Sequence, residues 1–303
     1  MASPLLPVEP MKGITSEKLE DMILELMGWG QWAVVMGKGP EAVRALVGMA
    51  RARGLSPGVE WIAPGTGRAL EPPRAKAGVG VVRTDWAWEE AKVQEAIDDA
   101  RERGLMVVVD ESVTGLRLAR GGARAFYAIQ PDALLFAPQL PSGRIGVVVG
   151  SGPKPSPRVP APQALVEELG AVVHYALTRD IPGTCARLGE MFAEGIRFFK
   201  AKAGLSDEVR LEPAAVQLPR IAGRRAWAFM ELAKEEGLVL APRIMLPTDI
   251  SEEEFASLVW RRLARAMARL KVLPEGEKAP LGWKDAGVVR CRPVEELLRF
   301  MEE

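Results

Sequence analysis

The sequence predicts an α/β protein with a large domain on a mostly parallel sheet and a small α+β C-terminal domain. Three observations carry this. Met106 to Val109 form an unbroken apolar run, closed by the acidic pair Asp110-Glu111. Such a run reads as a strand buried on both faces, the parallel-sheet type. Two more short apolar runs, Ala133 to Phe136 and Ile145 to Val149, follow it. After Ile181-Pro182-Gly183 the pattern changes to a long helix followed by short strands. The predicted divisions are 1–31 (N-terminal arm and helix), 32–180 (large domain), 181–278 (small domain) and 279–303 (tail).

A chain of 303 residues with 48% hydrophobic content can bury a full core. Lys+Arg and Asp+Glu balance at 40 each, which leaves no electrostatic footprint for nucleic acid or an anionic membrane. The N-terminus has no basic region and apolar run of the signal-peptide kind. No stretch reaches the roughly 20 apolar residues that span a bilayer. A soluble, cytoplasmic protein is expected. Cys185 and Cys291 are too few and too distant to read as a metal cluster or a disulfide framework. The sequence contains no asparagine and abundant charge, a thermophile's composition, which raises the prospect of a Cys185–Cys291 pair.

In chain order, residues 1–15 read as an arm. Ser16 is expected to cap a helix whose stripe is Leu19, Met22, Ile23 and Leu26, ended by Gly28 and Gly30. Trp32 to Met36 reads as a buried strand. The turn Gly37-Lys38-Gly39 then opens a helix through about Arg53, with Pro40 and Glu41 in its first turn. Free amides and the helix dipole at such a turn can hold a phosphate. Glu60 to Ile62 reads as a strand, 63–76 as a loop and Gly78 to Val82 as a strand. Asp85 is expected to cap a helix to Arg103, with Gly104 closing it. Asp110 then lies at the C-terminal edge of the sheet, where open α/β sheets bind ligands. A carboxylate there can instead cap the Thr114 and Gly115 amides or pair with Arg117.

A Pro-rich loop containing Lys154 leads to a helix from Gln163 to about Leu177. That helix holds the one histidine, His174, read as packed or surface-facing rather than catalytic. Leu188, Met191, Phe192, Ile196 and Phe199 give the next helix an apolar stripe. Strands at 209–211 and 216–218, a helix at 227–235, and a strand, turn and strand across 238–246 follow. Asp249 or Ser251 is expected to cap a last long helix through about Leu270.

The run from Val107 to Asp132 resembles the core of the class III aminotransferases that use pyridoxal phosphate (PLP), closest to glutamate-semialdehyde aminomutase. The family pattern is strand, Asp-Glu-Val, two residues, Gly-Phe-Arg, a Gly-Gly turn, an aromatic pair and Pro-Asp. Here it reads Asp110-Glu111-Ser112, Gly115-Leu116-Arg117, Gly121-Gly122, Phe126-Tyr127 and Pro131-Asp132. The resemblance implies PLP-transferase fold type I. It casts Asp110 as the partner of the protonated pyridine nitrogen, and Lys38, Gly39 and Glu41 as the phosphate turn. In the family that turn reads Asn-Ser-Gly-Thr-Glu-Ala, so its hydroxyl donors are replaced here by Lys38 and Pro40.

The family's Schiff-base lysine lies six residues beyond the Pro-Asp aspartate, and that position is Pro138. Ser112 replaces a valine that packs under the cofactor ring, and Trp61 is the one ring near the place of the family's stacking aromatic. The residues from Pro160 do not match the motif that reaches a partner subunit's phosphate. Transamination needs an amine to carry the substrate nitrogen. Two readings follow. One is a degenerate homologue without aminotransferase activity, in a scaffold, regulatory or non-covalent ligand-binding role, with no covalent cofactor and PLP or pyridoxamine phosphate (PMP) as its non-covalent ligand. The other is a diverged PLP- or PMP-dependent aminotransferase or aminomutase using Lys38 or Lys154. The resemblance implies a homodimer, or a heterodimer with a true family member.

Overall fold

The computed structural model describes residues 9–37, 39–64, 69–71, 76–84, 89–112, 114–155, 159–203, 210–212, 215–217, 232–237, 243–245 and 251–272. The chain divides into two compact units at Pro182/Gly183.

The first unit is built on seven strands: β1 (Trp32–Met36), β2 (Gly58–Ile62), β3 (Ala69–Glu71), β4 (Ala77–Arg83), β5 (Met106–Asp110), β6 (Ala133–Phe136) and β9 (Gly146–Gly150). A two-residue hairpin, β7 (Gln139–Leu140) with β8 (Gly143–Arg144), links β6 to β9. The sheet order is β1-β9-β6-β5-β4-β2-β3. β2, β4, β5 and β6 pair in parallel, whereas β9 runs antiparallel to both β6 and β1, and β3 antiparallel to β2. Apolar runs signal burial but not direction, so the reversal of β9 had no signature in the sequence. β3 likewise interrupts a segment expected to be loop.

The helices of this unit are α1 (Ser16–Met27), α2 (Gly39–Ala52), α3 (Glu90–Glu102), α4 (Gly122–Phe126) and α5 (Gln163–Thr178). Thr15, not Ser16, caps α1, because its side chain accepts the Lys18 N–H at 3.2 Å. Arg103 is the capping residue of α3; Gly104 follows it at φ +73°, and the Gly104 and Leu105 amides bond back to Arg101 and Ala100. The expected Asp85 cap lies outside the described residues. The arm is tied to α5: the Met11 and Gly13 amides donate to the Glu167 carbonyl and carboxylate.

Both sheet faces are covered, which is why the central strands need no polar residues. One face packs Trp32, Val34, Met36, Val79, Val81, Met106, Val108, Leu135 and Val148 against Ala42, Leu46, Met49 and Ala50 of α2. The other face meets α3, as a Cβ on Gly80 would touch Ala100 and Leu105. β1 is the edge strand next to α1, and Glu20 accepts the Val35 N–H at 3.2 Å there.

The second unit contains α6 (Ile181–Ala203, continuing from the first unit), β10 (Arg210–Glu212), β11 (Ala215–Gln217), β12 (Arg243–Met245) and α7 (Glu252–Val272). The three strands form an antiparallel sheet. Ser251 caps α7 by accepting the Glu254 N–H at 3.2 Å. Phe192 of α6 and Phe255 of α7 pack with ring centroids 6.2 Å apart. Cys185 is buried, while Cys291 and the 279–303 tail lie outside the described residues. Among the described residues no helix is long and apolar enough to cross a membrane.

Leu46 is fully buried under α2. Leu46→Ala is expected to cost about 3 kcal/mol, read as a lower urea midpoint with an unchanged m-value.

Candidate functional site at the carboxyl edge of the sheet

Strand register brings several chain segments to one edge. Met36 pairs with Gly146, Val147 with Phe136, Leu135 with Asp110, and Asp110 with Arg83. The ends of β1, β6, β5 and β4 therefore lie side by side, with the start of α2 at the same edge.

Asp110 sits at the end of β5 with its side chain 11% exposed. Its Oδ1 accepts the Ser112 N–H at 2.9 Å, and its Oδ2 lies 4.0 Å from Nε of Arg83. The Gly115 amide, an alternative partner in the sequence reading, donates to the Glu111 carbonyl instead. Thr84 and Thr114 are fully buried beside it: their hydroxyls bond at 2.7 Å, and Thr84 also donates to the Asp110 carbonyl at 3.1 Å. Ser112 Oγ accepts the Ala137 N–H at 2.9 Å. This bond joins the ends of β5 and β6 and places buried Pro138, the next residue, at the same edge as Asp110.

The other sequence-predicted residues fall elsewhere. Glu41, buried in the first turn of α2, is held by Arg44, so a carboxylate already faces the positive end of that dipole. Glu41, Arg44 and Lys154 share the wall of a cavity of about 630 Å³ that runs along α2 to Arg53. Lys154 is salt-bridged to Glu20 at 2.7 Å, and the same Glu20 accepts the Val35 amide of β1. β1 is three strands from β5, roughly 14 Å at about 4.8 Å per strand. Lys154 therefore lies on the opposite side of β1 from Asp110, too far to replace an amine beside it. Gly39 opens α2; Lys38 lies outside the described residues. Trp61 packs with the core on the α2 face rather than standing free as a stacking ring. His174 is exposed.

The sequence pattern contains Glu111, Gly121, Gly122 and Asp132, but not the hydrogen bonds by which they build this edge. Glu111 is wholly buried, and its two carboxylate oxygens accept the amides of Ala123 (2.6 Å) and Arg124 (3.0 Å) in α4. Gly121 and Gly122 both have positive φ, and a Cβ on Gly122 would collide with that carboxylate. Asp132 fastens the start of β6: Oδ2 accepts the Val107 amide at 2.8 Å and Oδ1 pairs with Arg53 at 2.6 Å. That Arg83 faces Asp110 was not legible, because strand pairing across the sheet cannot be read along the chain.

Among the described residues, neither Pro138 nor Lys154 offers an amine beside Asp110. Pro138 has no amine, Lys154 is tied to Glu20 beyond the edge strand, and Asp110 already faces a cation.

No family model matches the chain. A stretch of 103 residues is 32% identical to glutamate-1-semialdehyde 2,1-aminomutase of Chlamydia trachomatis, covering 34% of this chain and 21% of that enzyme. The match thus spans about a fifth of the curated relative's length. The structure is similar to an omega-transaminase from Sphaerobacter thermophilus, with a TM-score of 0.63 at 16% identity over 88% of this chain and 80% of that one. It is also similar to an ornithine aminotransferase from Toxoplasma gondii with partial occupancy of PLP at its active site. There the TM-score is 0.61 at 17% identity over 87% and 80% of the two chains. The fold is that of the type I PLP-dependent aminotransferases, and the chain resembles the class III branch in a shortened form.

Burial pushes the Glu111 carboxyl up from 4.5 to about 7, opposed by the two α4 amides. An acid raised in the folded state holds more protons there than in the unfolded chain across that interval, so stability falls as pH rises through it. The expected fall is on the order of 3 kcal/mol between the two values. Urea titrations across this range should record it, and Glu111→Gln should flatten the dependence.

Proposed function

We propose that this protein is a class III aminotransferase-like protein that has kept the family scaffold and lost its covalent chemistry. Its role on this reading is that of a scaffold, a regulatory partner or a non-covalent ligand-binding protein, without aminotransferase activity. The observation that carries the reading is Pro138. It lies where the resemblance expects the Schiff-base lysine, at the edge that also bears Asp110, and proline offers no amine to a carbonyl carbon.

Any retained ligand would be held without a covalent bond. PLP and PMP are the forms that the relatives suggest, with Asp110 and the turn of Lys38, Gly39 and Glu41 as the proposed contacts. A cytoplasmic homodimer, or a heterodimer with an active relative, completes the proposal. Light scattering of the purified protein tests the assembly, and a clean monomer contradicts it.

The alternative, a diverged PLP or PMP enzyme with a relocated lysine, is weakened at Lys154 by its pairing with Glu20 on the outer side of β1. Lys38 carries what remains of it.

The test is the visible absorbance of the protein after PLP is added and dialysed away. No aldimine band should be retained, and amino transfer from PMP to a keto acid should stay at the level of buffer. A retained band that disappears in Lys38→Ala or Lys154→Ala would overturn the proposal and identify the amine.

A further inference from the structure

From the geometry around Asp110 we infer that Arg83 determines ligand specificity at the strand-end site: its guanidinium stands in for a cationic ring, so the site selects against protonated pyridines. The inference rests on the proposed non-covalent reading and narrows it, setting aside the contact of a PLP or PMP pyridinium with Asp110.

Arg83 and Asp110 are direct partners in the parallel register of β4 and β5, so their side chains leave the sheet on the same side. Nε of Arg83 stands 4.0 Å from Oδ2 of Asp110. The other carboxylate oxygen accepts the Ser112 amide. Neither group is free to swing far. Asp110 is fixed by that amide, while Arg83, 31% exposed, ends a strand whose next residue is anchored through its hydroxyl to the Asp110 carbonyl and to Thr114.

A lone carboxylate at the end of a buried strand attracts a cation. A carboxylate already facing a guanidinium does not, and a second cation brought to it meets like-charge repulsion from the first. Asp110 already has a counter-ion within the protein. A pyridinium ring would have to displace Arg83 or share Asp110 with it, whereas an uncharged ring of the same shape carries no such penalty.

The test uses PMP, whose ring nitrogen is protonated in neutral solution and whose amine cannot form an aldimine with a lysine. Binding is followed by tryptophan fluorescence in the full-length protein and in Arg83→Gln. The substitution should tighten PMP roughly tenfold or more by removing the like charge, and Asp110→Asn added to it should abolish the gain. Arg83→Met, which keeps much of the aliphatic stem, should behave as Arg83→Gln does and serves if the glutamine variant folds poorly. In the unaltered protein, PMP should bind no better than its carbocyclic analogue with CH in place of the ring nitrogen.

Unchanged or weaker PMP binding in the Arg83 variants would overturn the inference. So would a gain that survives Asp110→Asn, or a tenfold preference of the unaltered protein for PMP over the analogue. An aldimine formed with PLP would instead overturn the non-covalent reading, while the PMP measurements, which involve no aldimine, still decide this inference.

Discussion

The first unit depends on one buried carboxylate. Glu111 follows the last residue of β5 and spends both oxygens on the amides of Ala123 and Arg124. Those amides would otherwise be unsatisfied donors at the start of a short helix inside the protein. The bond turns the chain back onto the sheet, and it tolerates no side chain at Gly122. Asp132 then sets the register in which β6 enters beside β5. Asp110, Ser112, Ala137 and Pro138 reach one edge because these two acids hold the chain on either side of α4.

This explains where the resemblance to aminotransferases is concentrated. The acidic pair, the Gly-Gly turn and the Pro-Asp dipeptide include the parts that fold the crossover from β5 to β6. Glu111, Gly122 and Asp132 answer to packing and backbone hydrogen bonds, so they can persist whatever chemistry the edge performs. The positions that would touch a cofactor are under no such demand. Pro138 and Ser112 differ from the family pattern there, while the buried faces of the strands remain continuous.

Much of the fold was legible. β1, β5 and β6 appeared as apolar runs with nearly their observed bounds, because a strand buried on both faces has no polar alternation to blur it. α2, α5, α6 and α7 appeared through their apolar stripes and terminal residues. The direction of β9, the short β3 and the Thr15 cap were not legible, since they turn on pairing partners and on one hydroxyl rather than on periodicity. The site was half legible. Its edge and Asp110 follow from the acidic pair that ends a buried run, and counting from Asp132 puts Pro138 where the resemblance expects a lysine. Arg83 facing Asp110 and Glu20 holding Lys154 join residues far apart in sequence, the second pair separated by 134 positions. No spacing rule reaches across such distances.

The proposed loss of covalent chemistry requires that the chain form no Schiff base. The most direct measurement is the intact mass of the protein after incubation with PLP and reduction with borohydride, which fixes any aldimine permanently to its lysine. The expected mass is unchanged from that of the untreated protein. A gain of one reduced pyridoxyl phosphate per chain, mapping to a single lysine, would contradict it.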